Sequence, residues 1–301
     1  MIRMPAPLKL TATALAALLA LPACAQPAPA AATDADPALW VVKDADTTIY
    51  LFGTVHVLKP GLSWFDEAVK TAFDSSQTLV LEMVEPDQAE QQRLVVAKAI
   101  DSDGPPLSQK LSEADRATYT KALADIGMPP AALDPFKPWM AAVTLTIVPL
   151  QKLGYDPNSG AEKVLAGAAK TANKQVTGLE TFEQQLGFFD SLPEEQQIKF
   201  LTSTVKELPK TAETMDKMVA DWSRGDADAL GQLLNDNMKE TPLIADTLLY
   251  NRNARWAEWI AERMKQPGTV FIAVGAGHLA GERSVIADLK AKKLEATRVK
   301  Y

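Results

Sequence analysis

Two apolar runs, one near each end of the chain, finish in the same way: Leu51-Phe52-Gly53-Thr54-Val55-His56 and Ala273-Val274-Gly275-Ala276-Gly277-His278. Short apolar runs of this kind read as buried strands. A glycine at the carboxyl end of a strand allows a sharp turn and close backbone approach. The histidine three residues later then stands in the loop beyond the sheet edge. Two acids share the placement, Glu82 closing Thr78-Leu79-Val80-Leu81 and Glu180 closing Gln175-Val176-Thr177-Gly178-Leu179. If the four strands are parallel neighbours, their polar ends converge on one rim. That rim is the crevice in which open α/β sheets bind ligands. The chain of 301 residues has only these two histidines, so imidazole chemistry is confined to that rim.

The remaining elements follow from pattern. Leu39–Lys43 and Thr48–Phe52, around a polar turn, predict a hairpin. Helix signals run from Trp64 to Ser75, then from about Asp87 to Ala172 and from Phe182 to about Gln266, punctuated by prolines. A helix over Ser284–Lys293 and a strand over Ala296–Lys300 close the chain. Strand and helix alternate at both ends, with a large all-helical insertion between. The expectation is α/β, or α+β, with a single mainly parallel central sheet flanked by helices.

Composition narrows the class. With 47% hydrophobic and 23% charged residues the chain can bury a sizeable core, which excludes wholesale disorder. A formal charge of −7 gives no basic surplus, so nucleic acid is not expected as a partner. Residues 1–25 carry Arg3 and Lys9, an apolar run from Leu10 to Leu21, and small residues after it. That layout is a secretory signal peptide, with a run too short to span a bilayer. Ala23-Cys24-Ala25 fits cleavage before Gln26. Leu21-Pro22-Ala23-Cys24 also resembles a lipobox, which would lipidate Cys24 and give the chain its only membrane contact. Export is expected by either route, to the periplasm or to a lipid-anchored state there. Residues 26–37, rich in Ala and Pro, read as a tether, and residues 38–301 as one domain.

Imidazole and carboxylate together are the ligands of Zn, Mn, Fe and Co sites, so His56, His278 and Glu82 are candidate metal ligands. Other schemes are poorer. The lone cysteine lies in the signal region, and no Gly-x-Ser-x-Gly, Gly-x-Gly-x-x-Gly or Walker string occurs. Trp256, Trp259, Ile260 and Met264 have core spacing. Arg252, near the start of the same helix, has the chemistry to orient a carboxylate, although surface pairing is the ordinary use of such a residue.

At these residues the sequence resembles the TraB/GumN family, the pheromone-shutdown and Tiki proteins. The resemblance rests on four segments in order: Phe52-Gly53-Thr54-Val55-His56, the strand-ending Leu79-Val80-Leu81-Glu82, Gly178-Leu179-Glu180-Thr181-Phe182-Glu183-Gln184-Gln185, and Ala273-Val274-Gly275-Ala276-Gly277-His278-Leu279-Ala280-Gly281. Arg252-Asn253 before the last strand adds to it. The resemblance covers about Leu39 to Val299. It implies that His56 and His278 are the motif histidines, Gly53 and Gly275 the motif glycines lining a cofactor site, and Glu82 the motif glutamate. Glu180 and Arg252 match further polar positions. The chain departs from the family pattern at Asn251, where an acid often stands, and at Glu162, where aspartate is common. Animal Tiki members are metal-dependent proteases of secreted signalling proteins, favouring manganese or cobalt.

Two functions therefore stay open. One is a metal-dependent hydrolase of the cell envelope that cleaves peptides or secreted proteins, using a divalent Mn, Co or Zn ion. In it Glu82, Glu180 and Arg252 are the catalytic candidates, Glu180 as general base or partner of the ligands and Arg252 steadying a substrate carboxylate or oxyanion. The other is a non-catalytic envelope protein that sequesters a peptide or a polysaccharide-assembly partner.

Overall fold

Strand β1 (Leu39–Lys43) turns through Asp44–Asp46 into β2 (Thr47–Thr54), and the two pair antiparallel. The turn is closed by Asp44, whose side chain accepts from the amides of Asp46 and Thr47. Strands β3 (Thr78–Met83), β4 (Gln175–Glu180), β5 (Gly268–Gly275) and the short β6 (Thr297–Arg298) complete one six-stranded sheet in the order β4-β3-β5-β2-β1-β6. The four strands from β4 to β2 run parallel, with Leu51 opposite Ile272, Leu81 opposite Ala273 and Met83 opposite Glu180. The carboxyl ends of all four point to one edge, as the sequence pattern requires. This computed structural model describes residues 32–238 and 241–301, and for 234–238 the backbone only. The signal segment, Cys24 and the tether as far as Ala31 lie outside the described residues.

Side chains alternate across the sheet because successive strand residues point to opposite faces. Phe52, Leu79, Leu81, Phe271 and Ala273 face one core, with Val69 and Phe73 of α1 (Glu67–Ser75), Leu165 and Ala169 of α5 (Ala161–Thr171) and Trp222 of α8 (Thr211–Ser223). Ile49, Leu51, Val80, Val270, Ile272 and Val274 face the other, against Trp256, Ala257 and Ile260 of α10 (Asn251–Arg263) and Leu289 of α11 (Val285–Ala291). A parallel sheet covered on both faces has near-continuous apolar strands, which is how β5 reads. Between β3 and β4 run α2 (Gln88–Ala99), α3 (Glu113–Asp125), α4 (Pro138–Lys152) and α5. After β4 come α6 (Phe182–Asp190), α7 (Glu194–Glu207), α8 and α9 (Ala227–Met238). The inserted helices have their own core, in which Tyr119 and Leu123 of α3 meet Ala141 and Leu145 of α4 and Leu201 of α7. The fold is thus α/β, with β4 dividing the helical insertion in two.

Three boundaries differ from the sequence reading. The first helix starts at Glu67, because Trp64 is needed in the core, stacked 5.5 Å from Phe52. The last strand shrinks to Thr297–Arg298, which pair with Val41 and Trp40 of β1. Residues 33–37, assigned by composition to the tether, are packed onto the domain. Thr33–Asp34 pair with Leu62–Ser63, the Asp36 amide donates to the Ser223 carbonyl, and the Tyr301 hydroxyl donates to the Pro37 carbonyl. Among the described residues no helix is long and apolar enough to cross a membrane.

Candidate functional site

Neighbouring strands lie about 4.8 Å apart, so side chains at four adjacent strand ends can share one site. Glu82 in the last turn of β3 and Glu180 at the end of β4 are buried. His278 is buried in the one-turn 3-10 segment after β5, and His56 stands in the loop after β2 with 68% of its side chain exposed. Gly275 shows how tightly they gather. A Cβ built there would lie 3.1 Å from Glu82 Oε1, 3.5 Å from His56 Nε2 and 3.6 Å from His278 Cδ2. The two imidazoles and the Glu82 carboxylate thus surround the spot that any larger residue would fill. Gly53 has a different reason. Its Cβ would meet Ala276 Cα at 3.1 Å, so this glycine lets the two strand-end loops close on each other and does not line the cradle. Its carbonyl is held by Trp222 Nε1 at 2.7 Å.

Each histidine is oriented by a partner on Nδ1. His56 Nδ1 donates to Glu162 Oε1 at 2.6 Å. Asn253 Nδ2 donates to the Arg283 carbonyl at 2.7 Å, which leaves Oδ1 as the acceptor for His278 Nδ1 at 2.6 Å. In its neutral form each ring therefore carries its proton on Nδ1 and leaves Nε2 as the acceptor nitrogen. His278 is also packed on the Trp256 ring, with centroids 4.3 Å apart.

Arg252 ties the two acids together. Nε donates to both Glu180 oxygens at 3.0 Å, and Nη2 donates to Glu82 Oε2 at 2.6 Å and to Glu180 Oε2 at 2.8 Å. Nη1 donates to the Leu248 carbonyl at 3.0 Å and lies 3.3 Å from His278 Nε2. The Leu248 carbonyl lies in a π-helical turn, Asp246–Tyr250, that leads into α10. In that turn the Asn251 amide donates to Asp246, five residues back, so the register slips and carbonyls are freed for side chains. All five guanidinium N–H groups are thus engaged inside the protein. The expectation that Arg252 steadies a substrate carboxylate gives way to a structural one, because no donor is left over. Glu180 is equally occupied, accepting from Trp256 Nε1 at 3.2 Å and Gln185 Nε2 at 3.2 Å besides Arg252. Its position admits no slack, since Thr181 is already the N-cap of α6 in a capping box with Gln184.

The charges divide the two histidines. Glu162 beside His56 lifts its pKa to about 9, against the burial of its inner edge, while solvent around the exposed ring screens part of that attraction. Burial holds His278 neutral, with a pKa lowered to about 3 despite the attraction of Glu82. Burial alone would favour the protonated acid at Glu82. His278, Arg252, His56 and the Gly275 amide, which donates to Oε1 at 2.7 Å, outweigh it and lower the pKa to about 2. Of these the guanidinium is the permanent charge.

Among the described residues no group of three or more His, Cys, Asp or Glu side chains stands ready-made at ligating distances. His278 Nε2 is 3.6 Å from Glu82 Oε1, with Arg252 beside both. The donor chemistry nevertheless fits a divalent cation. His56 Nε2 and Glu82 Oε1 face the Cβ-free space at Gly275, the His278 ring edge borders it with Nε2 accepting from Arg252, and each imidazole has the Nδ1 partner that metal-bound histidines characteristically carry. Three carboxyl groups, Glu82, Glu162 and Glu180, gather there around the one buried guanidinium of Arg252, with Arg255 3.7 Å from Glu180 at the solvent edge. Sequence reasoning did not assign Glu162, Gln185 or Asn253 to the site and placed Trp256 in the core. Two signals were open to it, the helical spacing that sets Arg252, Asn253 and Trp256 on the buried stripe of α10, and the family pattern in which Glu162, Gln185 and Asn253 each stand.

The fold and site agree with what the chain is similar to. Two uncharacterized proteins named YbaP, from Escherichia coli (strain K12) and Shigella flexneri, are each 27% identical over 176 residues. Those matches span 58% of this chain but only 65% of the relatives' own length. An uncharacterized protein of Treponema pallidum (strain Nichols) is 22% identical over 272 residues, 85% of this chain and 80% of that one. No solved structure matches. The family model described as TraB/PrgY/gumN matches residues 38–298, which span every strand of the main sheet and every residue of the cradle, and the chain belongs to that family.

Proposed function

We propose that the protein is a metal-dependent hydrolase of the cell envelope that cleaves peptides or secreted proteins. The observation that carries this reading is the pair of imidazoles, each anchored at Nδ1, that gather with Glu82 Oε1 around the cradle at Gly275. His56, His278 and Glu82 would hold a Mn, Co or Zn ion. A bound divalent cation supplies Lewis acidity toward a carbonyl oxygen and lowers the pKa of water.

The residues around it have separable tasks. Arg252 holds the Glu82 and Glu180 carboxylates at fixed separation and helps to lower the pKa of Glu82. Glu180 is the anchor of Arg252, with both oxygens already accepting, which argues against it as general base. Glu82 keeps one oxygen toward the cradle and is the carboxylate placed to act on substrate. His56 is the open side, where substrate enters and protons exchange with water.

Export is part of the proposal, motivated by Arg3, Lys9 and Ala23-Cys24-Ala25. Mass spectrometry of the mature N-terminus is expected to find free Gln26 or lipidated Cys24, and an intact Met1 on cytoplasmic protein would end that part. Calorimetry with Mn, Co and Zn is expected to give about one ion per chain, and peptide hydrolysis is expected only with the ion present. His56→Ala and His278→Ala should each abolish both. A wild type that binds none of the three metals would instead favour a protein that sequesters its partner.

A further inference from the structure

We propose that Glu162 is the positioning residue for His56, taking the Nδ1 proton and so aiming Nε2 into the cradle. The inference rests on the metal-site reading above and adds a residue that its ligand set lacks.

The two histidines follow the same Gly-x-x-His pattern but are held differently. His278 is wedged against Trp256 and buried, so packing alone limits its ring. His56 is on an exposed loop, and a free imidazole there would turn about its side-chain bonds and favour the tautomer with the proton on Nε2. A proton on Nε2 would block the nitrogen that faces Gly275. What opposes this is the 2.6 Å contact from Nδ1 to Glu162 Oε1, an acceptor that an ionised carboxylate offers more strongly than an amide.

Glu162 is itself fixed from two directions. Thr54, at the end of β2, donates its hydroxyl to the same carboxylate oxygen. The first turn of α5 is fastened to the histidine loop, since the Ala161 amide donates to the Val55 carbonyl at 3.0 Å. Gly160 lies against that loop so closely that a Cβ would fall 2.1 Å from the His56 carbonyl oxygen. The loop and the helix start are one unit, and Glu162 sits one residue into the helix, where it reaches back to the ring. At His278 the corresponding acceptor is the neutral Asn253 amide. At Nδ1 only His56 therefore has a charged partner, which strengthens its Nε2 as a donor toward a cation.

With two histidines in the chain, nitrogen-15 NMR of histidine-labelled, metal-free protein resolves both rings, and His56→Gln assigns them. Spectra taken at rising pH well beyond 9, until the His56 shifts stop changing, read the tautomer of the neutral ring directly. The expected result is Nδ1 protonated and Nε2 bare at His56 in the wild type. Glu162→Ala should move the proton to Nε2 while the His278 signals stay in place. Glu162→Gln, which keeps an acceptor oxygen at the same volume, should hold the original tautomer. Affinity for Mn or Co should fall roughly 10- to 100-fold in Glu162→Ala. Wild-type His56 protonated on Nε2, or a tautomer unmoved by Glu162→Ala, would overturn the proposal. If the alanine variant does not fold, the wild-type and glutamine spectra decide it. A tautomer that switches as expected in a protein that binds no metal would leave Glu162 as the positioning residue and remove the metal reading instead.

Discussion

Arg252 is the residue on which the buried charges depend. Its side chain is 10% exposed and those of Glu82 and Glu180 11% and 5%, so removing it strands two carboxylates in low dielectric. Arg252→Met is expected to lower stability by about 3–5 kcal/mol in urea denaturation, and Glu82→Gln/Glu180→Gln in the same background to recover much of the loss. Recovery by neither acid change would show that the guanidinium acts through packing on Trp256 instead. The histidines predict opposite responses to pH in metal-free protein. His278 has its folded pKa depressed from 6.5 to about 3, so its contribution is full above pH 6.5 and is lost as the pH falls toward 3. His56 has its folded pKa raised from 6.5 to about 9, so its contribution is full below pH 6.5 and is lost as the pH rises through 9. Urea midpoints are expected to show this. His278→Gln should flatten the acid slope above the carboxylate range, and His56→Gln the alkaline one. A His278→Gln protein with the wild-type acid slope would show that the ring is not buried neutral.

Strand ends are where elements become a site, and their glycines do unlike work. Gly275→Ala places a methyl against Glu82 Oε1 and both imidazoles. It is expected to abolish metal binding while thermal unfolding shifts little, because the methyl enters the cradle and not the core. Gly53→Ala presses on the Ala276 backbone and should cost about 1–3 kcal/mol by overpacking the two loops. Equal losses of stability in the two variants would show that the space at Gly275 is ordinary packing. The π-helical turn before α10 belongs to this scale too, since it frees the Leu248 carbonyl to accept from Arg252.

At the scale of the described domain, the C-terminal residues fasten the segment around β1. Val299 donates its amide to the Leu39 carbonyl, Arg298 Nη2 donates to the Gly225 carbonyl at 2.9 Å, and Tyr301 donates to Pro37. Deleting residues 297–301 removes these bonds together with β6, and leaves β1 as an edge strand. It is expected to cost on the order of 1–3 kcal/mol, at roughly 1 kcal/mol per bond. Hydrogen exchange should quicken in β1 and stay slow in β3 and β5, which lie inside the sheet. Uniform loss of protection across the sheet would mean that the clasp holds the core as well as the edge.

Local pattern determined the strands, because apolar runs of five or six residues bounded by glycine or an acid have one stable use, and β3, β4 and β5 match their expected spans closely. It also determined which polar groups stand at the site, since a residue at the end of a buried parallel strand can point only to that edge. Tertiary structure decided the partners. Glu162, Gln185 and Asn253 sit on helices that carry ordinary polar residues, and helical spacing, which sets Asn253 on a buried stripe, does not say which strand end each will meet. They meet the strand ends only because α5, α6 and α10 pack at that edge of the sheet, which brings together side chains separated by 25 to 108 positions. The same packing turned Arg252 from a group free to meet substrate into one with every donor engaged. A sequence records that a guanidinium is present, whereas its remaining hydrogen-bonding capacity depends on which acceptors the fold brings within reach.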